Sequence, residues 1–267
     1  MVKTEIEKKC NRASENFLIE STSNFKHYEY LPNWLVNKSI YLKKYRLEGQ
    51  RLFKKYHRGS LVMIDFGVNV GNEISGNHFG IVLNKYDNPK NGVLTVIPVT
   101  SKKREYLIEL DSLISVQSNI TLRKLIIDDV LTHLAATEFI FETLDAESQR
   151  RHRFIIEKSA ISMDDINKKI VSLGLNKLEQ NKMSIETYEE IMRNSKSLQS
   201  KALKAIEVSE KYKKYNKISY AKPKDIQTIS KYRIKMINDL DPCGKIKVSN
   251  TILDKIDKEL INNITNM

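Results

Sequence analysis

The stretch RGSLVMIDFGVNVGNEISGNHFGIVLN, residues Arg58–Asn84, decides the fold. It contains two short apolar runs, LVMIDF at 61–66 and HFGIVL at 78–83, which a glycine-rich loop separates. Runs of this length that are rich in β-branched and aromatic residues, and that end at glycine turns, are typical of strands. The stretch therefore predicts two short strands joined by a loop that begins at Gly67 and ends at Gly76.

Two further runs follow this pair along the chain. The run VLTVIPV at 93–99 comes after the turn sequence YDNPKNG at 86–92, and YLIEL at 106–110 comes next. Six of the nine glycines lie within residues 59–92. Short strands with tight turns predict a small barrel or sandwich.

The next hundred residues have a different composition. Between Thr100 and Lys222 there is one glycine, Gly174, and no proline. A long stretch without helix breakers predicts several helices over about 120–216. Apolar residues recur every seven positions along one predicted face, which indicates an amphipathic packing helix; they are Ile191, Leu198, Ala205 and Tyr212. A packing or protein-interaction module is the favoured interpretation of this region.

The region before the first strand is basic. After Pro32, the segment 34–57 is expected to be helical, and Lys38–Arg58 holds eight Lys and Arg residues and one acid, Glu48. Cations interleaved with aromatic residues suit a nucleic-acid backbone with stacking bases. The alternative is a helix that covers the sheet, with three apolar side chains facing it: Trp34, Leu42 and Phe53.

The last fifty residues return to mixed structure. The segment DIQTISKYRI at 225–234 predicts a strand and its turn. Ser249 is a good N-cap for the following helix, TILDKIDKELINNI. One face of that helix is apolar, with Ile252, Ile256, Leu260 and Ile264.

Bulk properties limit the function classes. The net charge is +12, which favours polyanionic partners such as nucleic acid, an acidic protein or an anionic membrane surface. Cys10 and Cys243 have no metal-ligand spacing, so neither a disulfide framework nor a zinc site is expected. The N-terminus has no apolar segment of a secretory signal, and no apolar stretch could cross a membrane, so a cytoplasmic location is expected.

Four segments resemble the MazF/PemK toxins in the same order. They are the stretch at 58–84, TVIPVTSK at 95–102, DIQTISKYRI at 225–234 and the helix at 249–264. The third is similar to the family motif Gln-Ile-Arg-Thr-Ile-(Asp/Ser)-Lys-x-Arg-(Ile/Leu). The resemblance implies an α+β fold: a small SH3-like β-barrel of MazF/PemK type with a helical insertion and a C-terminal helix.

The resemblance also divides the chain. We expect a basic helical extension at 1–57, the first part of the barrel at 58–116, a helical insertion at 117–216, and the second barrel part with the final helix at 217–267. Because the insertion interrupts the barrel, its two ends are expected on neighbouring strands.

The family's activity supplies the functional expectation. The resemblance implies a sequence-selective endoribonuclease on single-stranded RNA, acting as the toxin of a toxin–antitoxin pair without metal or cofactor. It implies a 2′,3′-cyclic phosphate product, a homodimer and an acidic antitoxin. The alternative is a non-catalytic nucleic-acid- or protein-binding regulatory module on the same barrel. A gyrase-directed poison is less well supported, since the match is to the ribonuclease branch.

His78 is the leading catalytic candidate. The family usually has arginine followed by proline where this chain has His78-Phe79. Histidine can both donate hydrogen bonds and exchange protons near neutral pH, whereas arginine cannot easily exchange them. The substitution is compatible with a conventional ribonuclease route or with a protein that binds RNA and cuts poorly. The other four histidines, His27, His57, His133 and His152, are expected to be surface residues.

Other residues are candidates through their place in the motifs. Thr100 ends the third strand and is expected to hold a phosphate oxygen or orient the 2′-hydroxyl, with Ser101 beside it. Glu73, in the loop, is expected to position His78 or read a base. Gln227 replaces the motif's arginine, while Arg233 keeps its later cation. The candidate RNA-binding residues are Ser101, Lys102, Lys103, Arg104, Arg58, Lys54 and Lys55.

Overall fold

The computed structural model describes residues 3–49, 51–143, 162–180 and 182–264. It divides into two compact units. The sheet unit comprises residues 1–113, 217–236 and 243–267, and the helical unit comprises residues 114–216 and 237–242. Residues 144–161 of the predicted helical region lie outside the described residues.

Seven strands form the sheet of the first unit. They are β1 Leu61–Asp65, β2 Asn77–Val82, β3 Val93–Thr100, β4 Ile108–Glu109, β5 Tyr220–Ala221, β6 Gln227–Ser230 and β7 Ile234–Lys235. All four apolar runs that were predicted from the sequence are confirmed as strands, although only two residues of the fourth run pair. The segment 225–234 forms the predicted strand and turn, followed by the short strand β7.

The sheet is antiparallel and its order is β4-β5-β3-β2-β1-β7, with β6 also paired to β3. The α+β class is thus confirmed, but the described strands form an open sheet, and the closed SH3-like barrel is not confirmed. The sheet is nevertheless strongly curled. β6 pairs with β3 and β7 pairs with β1, yet only a 3₁₀ turn, Lys231–Arg233, separates β6 from β7.

One face of the curled sheet is the core. Residues that pair across antiparallel strands point to the same face of a sheet. The core face therefore carries the pair Ile64 and His78 and the pair Val82 and Val96. The fully buried apolar residues of this cluster include Val62, Ile64, Phe66, Val82, Leu94, Val96 and Cys243. A Cβ at Gly80 would come 2.5 Å from Ile64 Cδ1, so glycine lets the side chains above it pack closely.

The two segments that flank residues 111–218 are paired. Ile108 lies opposite Ala221, and Leu110 N donates a hydrogen bond to Ser219 O at 2.8 Å. The expected placement of the insertion ends on neighbouring strands is therefore confirmed. Helix α3 begins at Ile114, earlier than the helical stretch that was predicted from about residue 120.

Among the residues that the structure describes, the sheet unit carries the α-helices α1 Lys3–Thr22, α2 Leu31–Glu48 and, near the end of the chain, α7 Asn250–Ile264. The prediction of a helix as far as His57 was wrong, because α2 ends at Glu48. Gly49 has φ +55, a conformation that breaks the helix. Phe53 N then donates to Pro89 O at 2.8 Å, so Lys54 and Lys55 lie on an irregular segment.

The final helix has the predicted cap and apolar face. Ser249 Oγ accepts a hydrogen bond from Ile252 N at 3.3 Å, which satisfies one of the free amides at the helix start. Ile252 and Ile256 are buried. No helix among the described residues is both long and apolar enough to cross a membrane.

The helical unit contains α3 Ile114–Leu122, α4 Asp128–Thr143, α5 Met163–Ser172 and α6 Ile185–Tyr212. A π-helical turn joins α3 to α4, and Ser162 and Ser184 cap α5 and α6. The predicted seven-residue face of α6 is confirmed, since Ile191, Ala205 and Tyr212 are buried. The main core of this unit is formed by Ala135, Ala136, Ile140, Met163, Ile166, Ile170, Tyr188 and Ile191.

Candidate functional site

Three neighbouring strands bring polar residues to one end of the sheet. Gly80 pairs with Pro98, and the same register continued by two residues places His78 opposite Thr100. On the other side of β3, Thr100 pairs with Tyr220, and Lys222 N donates to Pro98 O at 2.9 Å. This register places His78, Thr100 and Lys222 at the same end of the sheet.

The ring of His78 is half-buried at the edge of the core. Its Nε2 lies 3.1 Å from Ser75 O, and its ring centroid lies 6.5 Å from that of Phe66. Burial lowers the pKa of His78, and the charges of Lys222 and Lys102 act in the same direction, while backbone hydrogen bonds to Ser75 and Val99 oppose them. The neutral imidazole is consequently the favoured form at neutral pH.

Thr100 shapes the turn that carries the predicted cations. Its Oγ1 accepts a hydrogen bond from Lys102 N at 3.2 Å, which fixes the chain direction after β3. Ser101, Lys102 and Lys103 are exposed beside it. Arg104 is also exposed, and its Nη1 donates to Tyr106 Oη at 2.9 Å.

Lys222 is a site residue that the sequence analysis missed. It is partly buried, forms an ion pair with Asp225 and affects the pKa of His78. It lies just before the third family-like segment and belongs to no motif. The only sequence signal was a lysine next to Pro223 at the point where the chain returns to the sheet.

Glu73 is not placed beside His78. It is exposed in the loop and lines a shallow groove with Asp225 and Gln227. The ring nitrogen of His78 instead lies within hydrogen-bond distance of Ser75 O, so Ser75 takes the positioning role that was expected of Glu73. Gln227, in place of the motif's arginine, faces this groove.

A cleft of about 640 Å³ opens on the other side of His78. One wall comes from the loop that contains Ser75 and from the start of β2 with His78, and the other comes from the N-terminal extension, including His27 and Trp34. His27 Nε2 lies 3.1 Å from Asn69 O and 3.5 Å from Ser75 Oγ. The expectation of a surface histidine was wrong for His27 and His133, which are half-buried; for the exposed His57 it is confirmed, and His152 lies outside the described residues.

The N-terminal extension is fixed to this end of the sheet by Trp34. A Cβ at Gly67 would lie 2.4 Å from the indole ring, so only glycine permits this contact, and φ is +79 there. The guanidinium of Arg233 stacks on the indole at 5.2 Å and donates to Asp65 O at 2.7 Å and to Phe66 O. Arg233 thus joins the extension to the end of β1, which is a structural role.

Asp65 makes the second attachment of the extension. Its buried carboxylate accepts hydrogen bonds from Asn37 at 3.1 Å and from Tyr41 Oη at 2.9 Å, both on α2. Burial, together with this carboxylate, raises the pKa of Tyr41, so the phenol remains a donor. Two independent contacts therefore hold α2 against the end of β1 and the first residues of the loop that leads to β2.

Three of the predicted RNA-binding residues lie at the opposite end of the sheet. Arg58 donates to Leu83 O and forms an ion pair with Asp257. Lys54 Nζ donates to Cys243 O at 3.0 Å, and Lys55 is exposed. Because β1 runs between the two ends at about 3.3 Å per residue, these residues lie on the order of 15 Å from His78.

The same far end holds a buried ion pair. Lys231 Nζ lies 2.8 Å from both carboxylate oxygens of Asp87, and the two side chains are 2% and 0% exposed. Tyr56 N adds a hydrogen bond to the carboxylate at 2.9 Å. Burial alone would raise the pKa of Asp87, but these partners hold it below its usual range. The motif's lysine is therefore structural.

Comparison with known families confirms the resemblance over part of the chain. Residues 57–173 match the family model described as the PemK-like, MazF-like toxin of type II toxin-antitoxin system. This segment includes β1 to β4, His78 and Thr100, and it does not include β5 to β7, which complete the same sheet. Comparison with curated proteins finds no match.

Proposed function

We propose that the protein is a type II toxin that acts as a sequence-selective endoribonuclease on single-stranded RNA. The observation that carries this proposal is the register of β2 against β3, which continued beyond Gly80 and Pro98 puts His78 opposite Thr100, together with the charges of Lys102 and Lys222, which lower the pKa of His78. A proton acceptor, a hydroxyl and two cations are the groups that cleavage of an RNA phosphodiester requires.

The chemistry follows from the groups present. RNA supplies its own nucleophile, and neutral His78 accepts the proton of the 2′-hydroxyl as that oxygen attacks phosphorus. Thr100 orients the phosphate or the hydroxyl, and the cations offset the charge that develops on the phosphate oxygens. The 5′-oxygen leaves with a proton, and a 2′,3′-cyclic phosphate remains. No metal or cofactor takes part in the proposed reaction.

The family supports further proposals about assembly. A type II toxin implies an antitoxin, and an acidic one would complement the charge of +12. We propose that the protein is a cytoplasmic homodimer. We also propose that the curled sheet is a small barrel, in which β6 and β7 come close together. We also keep the division into extension, barrel parts and insertion as a proposal. Glu73 and Gln227 are proposed to read a base along their shared groove.

The test is cleavage of defined single-stranded RNAs by the purified protein in excess EDTA. We expect specific cleavage with cyclic-phosphate ends, and a loss of about 10²–10⁴-fold in rate for His78→Ala, the usual contribution of acid–base catalysis. His57→Ala is the matched control, because that histidine is exposed and does not line the cleft. Activity that EDTA removes and magnesium restores would refute this mechanism.

One observation favours the non-catalytic alternative. The ring of His78 has backbone hydrogen bonds to both Ser75 and Val99, as a structural histidine would. A regulatory module that binds RNA or protein would then show no specific cleavage at any pH. His78→Ala would leave RNA affinity unchanged or reduce it, as measured by fluorescence anisotropy on the same RNAs.

A further inference from the structure

We propose that the N-terminal extension supplies a second catalytic histidine, His27, which protonates the departing 5′-oxygen while His78 receives the 2′-hydroxyl proton. This inference rests on the proposed ribonuclease function. It concerns a segment that precedes the region matched to the toxin family, which begins at residue 57.

The two histidines meet at one residue. His27 Nε2 lies 3.5 Å from Ser75 Oγ, and His78 Nε2 lies 3.1 Å from Ser75 O. Both side chains line the same cleft of about 640 Å³, a volume in the usual range of small-molecule sites and suited to a nucleotide. A phosphate bound in this cleft would therefore have both imidazoles in the lining of its site.

His27 is held in place by its surroundings. Its ring contacts Phe25 and Tyr28, with centroids 6.0 Å and 5.6 Å away, and its Nε2 faces Asn69 O at 3.1 Å. The Asn69 side chain in turn donates to Phe66 O at 3.1 Å and Ile74 O at 2.7 Å, so the loop is internally bonded. A ring held against an internally hydrogen-bonded loop is the arrangement that proton transfer needs.

The hydrogen bonds of His27 leave its Nδ1 atom available to donate a proton. Its contacts to Asn69 and Ser75 are made by Nε2, and among the described residues Nδ1 has no hydrogen-bond partner. An imidazolium carries a proton on each nitrogen, so Nε2 can keep its bond to Asn69 O while Nδ1 donates.

The rest of the cleft fits a nucleotide. Tyr30 offers an exposed aromatic surface for base stacking, and Lys26 is an exposed cation next to His27. Asn33 and Asn77 carry amides that can bond to base edges. All but one of these residues come from the extension, so this segment completes the site.

Protons and bonds balance in the proposed step. The 2′-oxygen loses its proton to His78 and forms a bond to phosphorus as the bond from phosphorus to the 5′-oxygen breaks. That oxygen takes the proton from His27 Nδ1. His78 ends protonated and His27 neutral, and exchange with water restores both.

The test compares two RNAs that contain the bond cut by the wild-type protein, one natural and one with sulfur in place of the bridging 5′-oxygen. A thiolate leaves without a proton, so loss of a general acid affects only the natural bond. The key variant is His27→Gln, whose amide can still donate to Asn69 O but cannot transfer a proton. His57→Gln is the matched control, and circular dichroism checks that each variant folds.

We expect His27→Gln to slow cleavage of the natural RNA by about 10²–10⁴-fold and to cleave the sulfur RNA within about a factor of 10 of wild type. His78→Ala should slow both. If His27→Gln cleaves natural RNA at the wild-type rate, or slows cleavage of both RNAs equally, His27 is not the general acid. The proposed ribonuclease function would still stand. Absence of wild-type cleavage on both RNAs would overturn the proposed function, and this inference with it.

Discussion

The two ends of the sheet use similar side chains in different ways. At the far end, Lys231 and Asp87 are buried and bonded to each other and to the backbone. At the near end, Lys102 is exposed and His78 is half-buried on an open cleft. Both ends carry residues of the family-like segments, and the sequence alone does not separate them.

The difference shows how to sort the polar residues of a motif. A cation whose donors are already used within the chain stabilises the fold, and binding a ligand through it would require breaking those bonds. A cation that lies beside the catalytic candidates and is not buried in such bonds is available to a phosphate. By this criterion Arg233, Lys231 and Arg58 are structural and Lys102 is positioned for a ligand, whereas Lys222 is partly buried and already paired with Asp225.

The largest expected effect comes from breaking the buried pair. Asp87→Ala would leave the ammonium of Lys231 buried without its partner, and we expect a loss of about 3–5 kcal/mol in the free energy of unfolding. Urea denaturation followed by circular dichroism measures it. The control is Glu210→Ala, which removes the exposed ion pair with Lys213 and should cost about 0–1 kcal/mol. Equal losses of unfolding free energy in the two variants would mean that the buried pair stabilises the fold no more than an exposed surface pair.

The second effect tests the attachment of the extension at the near end. Gly67→Ala would place a methyl group against the Trp34 ring, and we expect a loss of roughly 1–3 kcal/mol from overpacking in addition to the backbone strain. Gly71→Ala is the matched control, since φ is +63 there and nothing lies within 4 Å of the added Cβ. Thermal unfolding of the two variants should differ, and equal melting temperatures would show that Trp34 does not fix the extension.

The third effect compares the ends as RNA-binding surfaces. Replacing Lys102 and Lys103 by alanine should reduce the slope of log affinity against log salt by about 0.7 for each phosphate that is no longer neutralised. Replacing Lys54 and Lys55 should change the slope less, because Lys54 already bonds to Cys243 O. Titrations of single-stranded RNA at several salt concentrations measure both slopes. A larger change for Lys54 and Lys55 would place the RNA at the far end.

The smallest effect is the contribution of His78 to the pH dependence of stability. Its pKa is lowered in the folded state, so below about pH 6.5 the unfolded chain binds a proton that the folded protein does not. Stability should therefore fall as the pH falls from this value towards the folded pKa, by at most about 1.4 kcal/mol for each pH unit between the two pKa values. The decrease should be smaller in His78→Gln when denaturation is followed from pH 7.5 to 5. An identical decrease in both proteins would contradict a lowered pKa for His78.

Much of the sheet unit was predictable from local patterns. The strands at 61–65, 77–82 and 93–100 follow from short apolar runs between glycine turns, and α7 follows from its cap and its apolar face. The choice of His78 and Thr100 as candidate site residues came only through the resemblance to the toxin family. The end of α2 was misjudged because the cations after Gly49 continue the composition of the helix, although the backbone leaves it there.

The sequence by itself determined the strands, the turns, the final helix and the two residues at the centre of the candidate site. These features depend on near neighbours or on a motif, so they can be read along the chain. Only the tertiary structure decided which cations are structural and that His27 shares a cleft with His78. His27 reaches Asn69 across 42 residues, and Lys231 reaches Asp87 across 144. Such partners meet through the topology of the sheet and the docking of α2, and no local pattern records that.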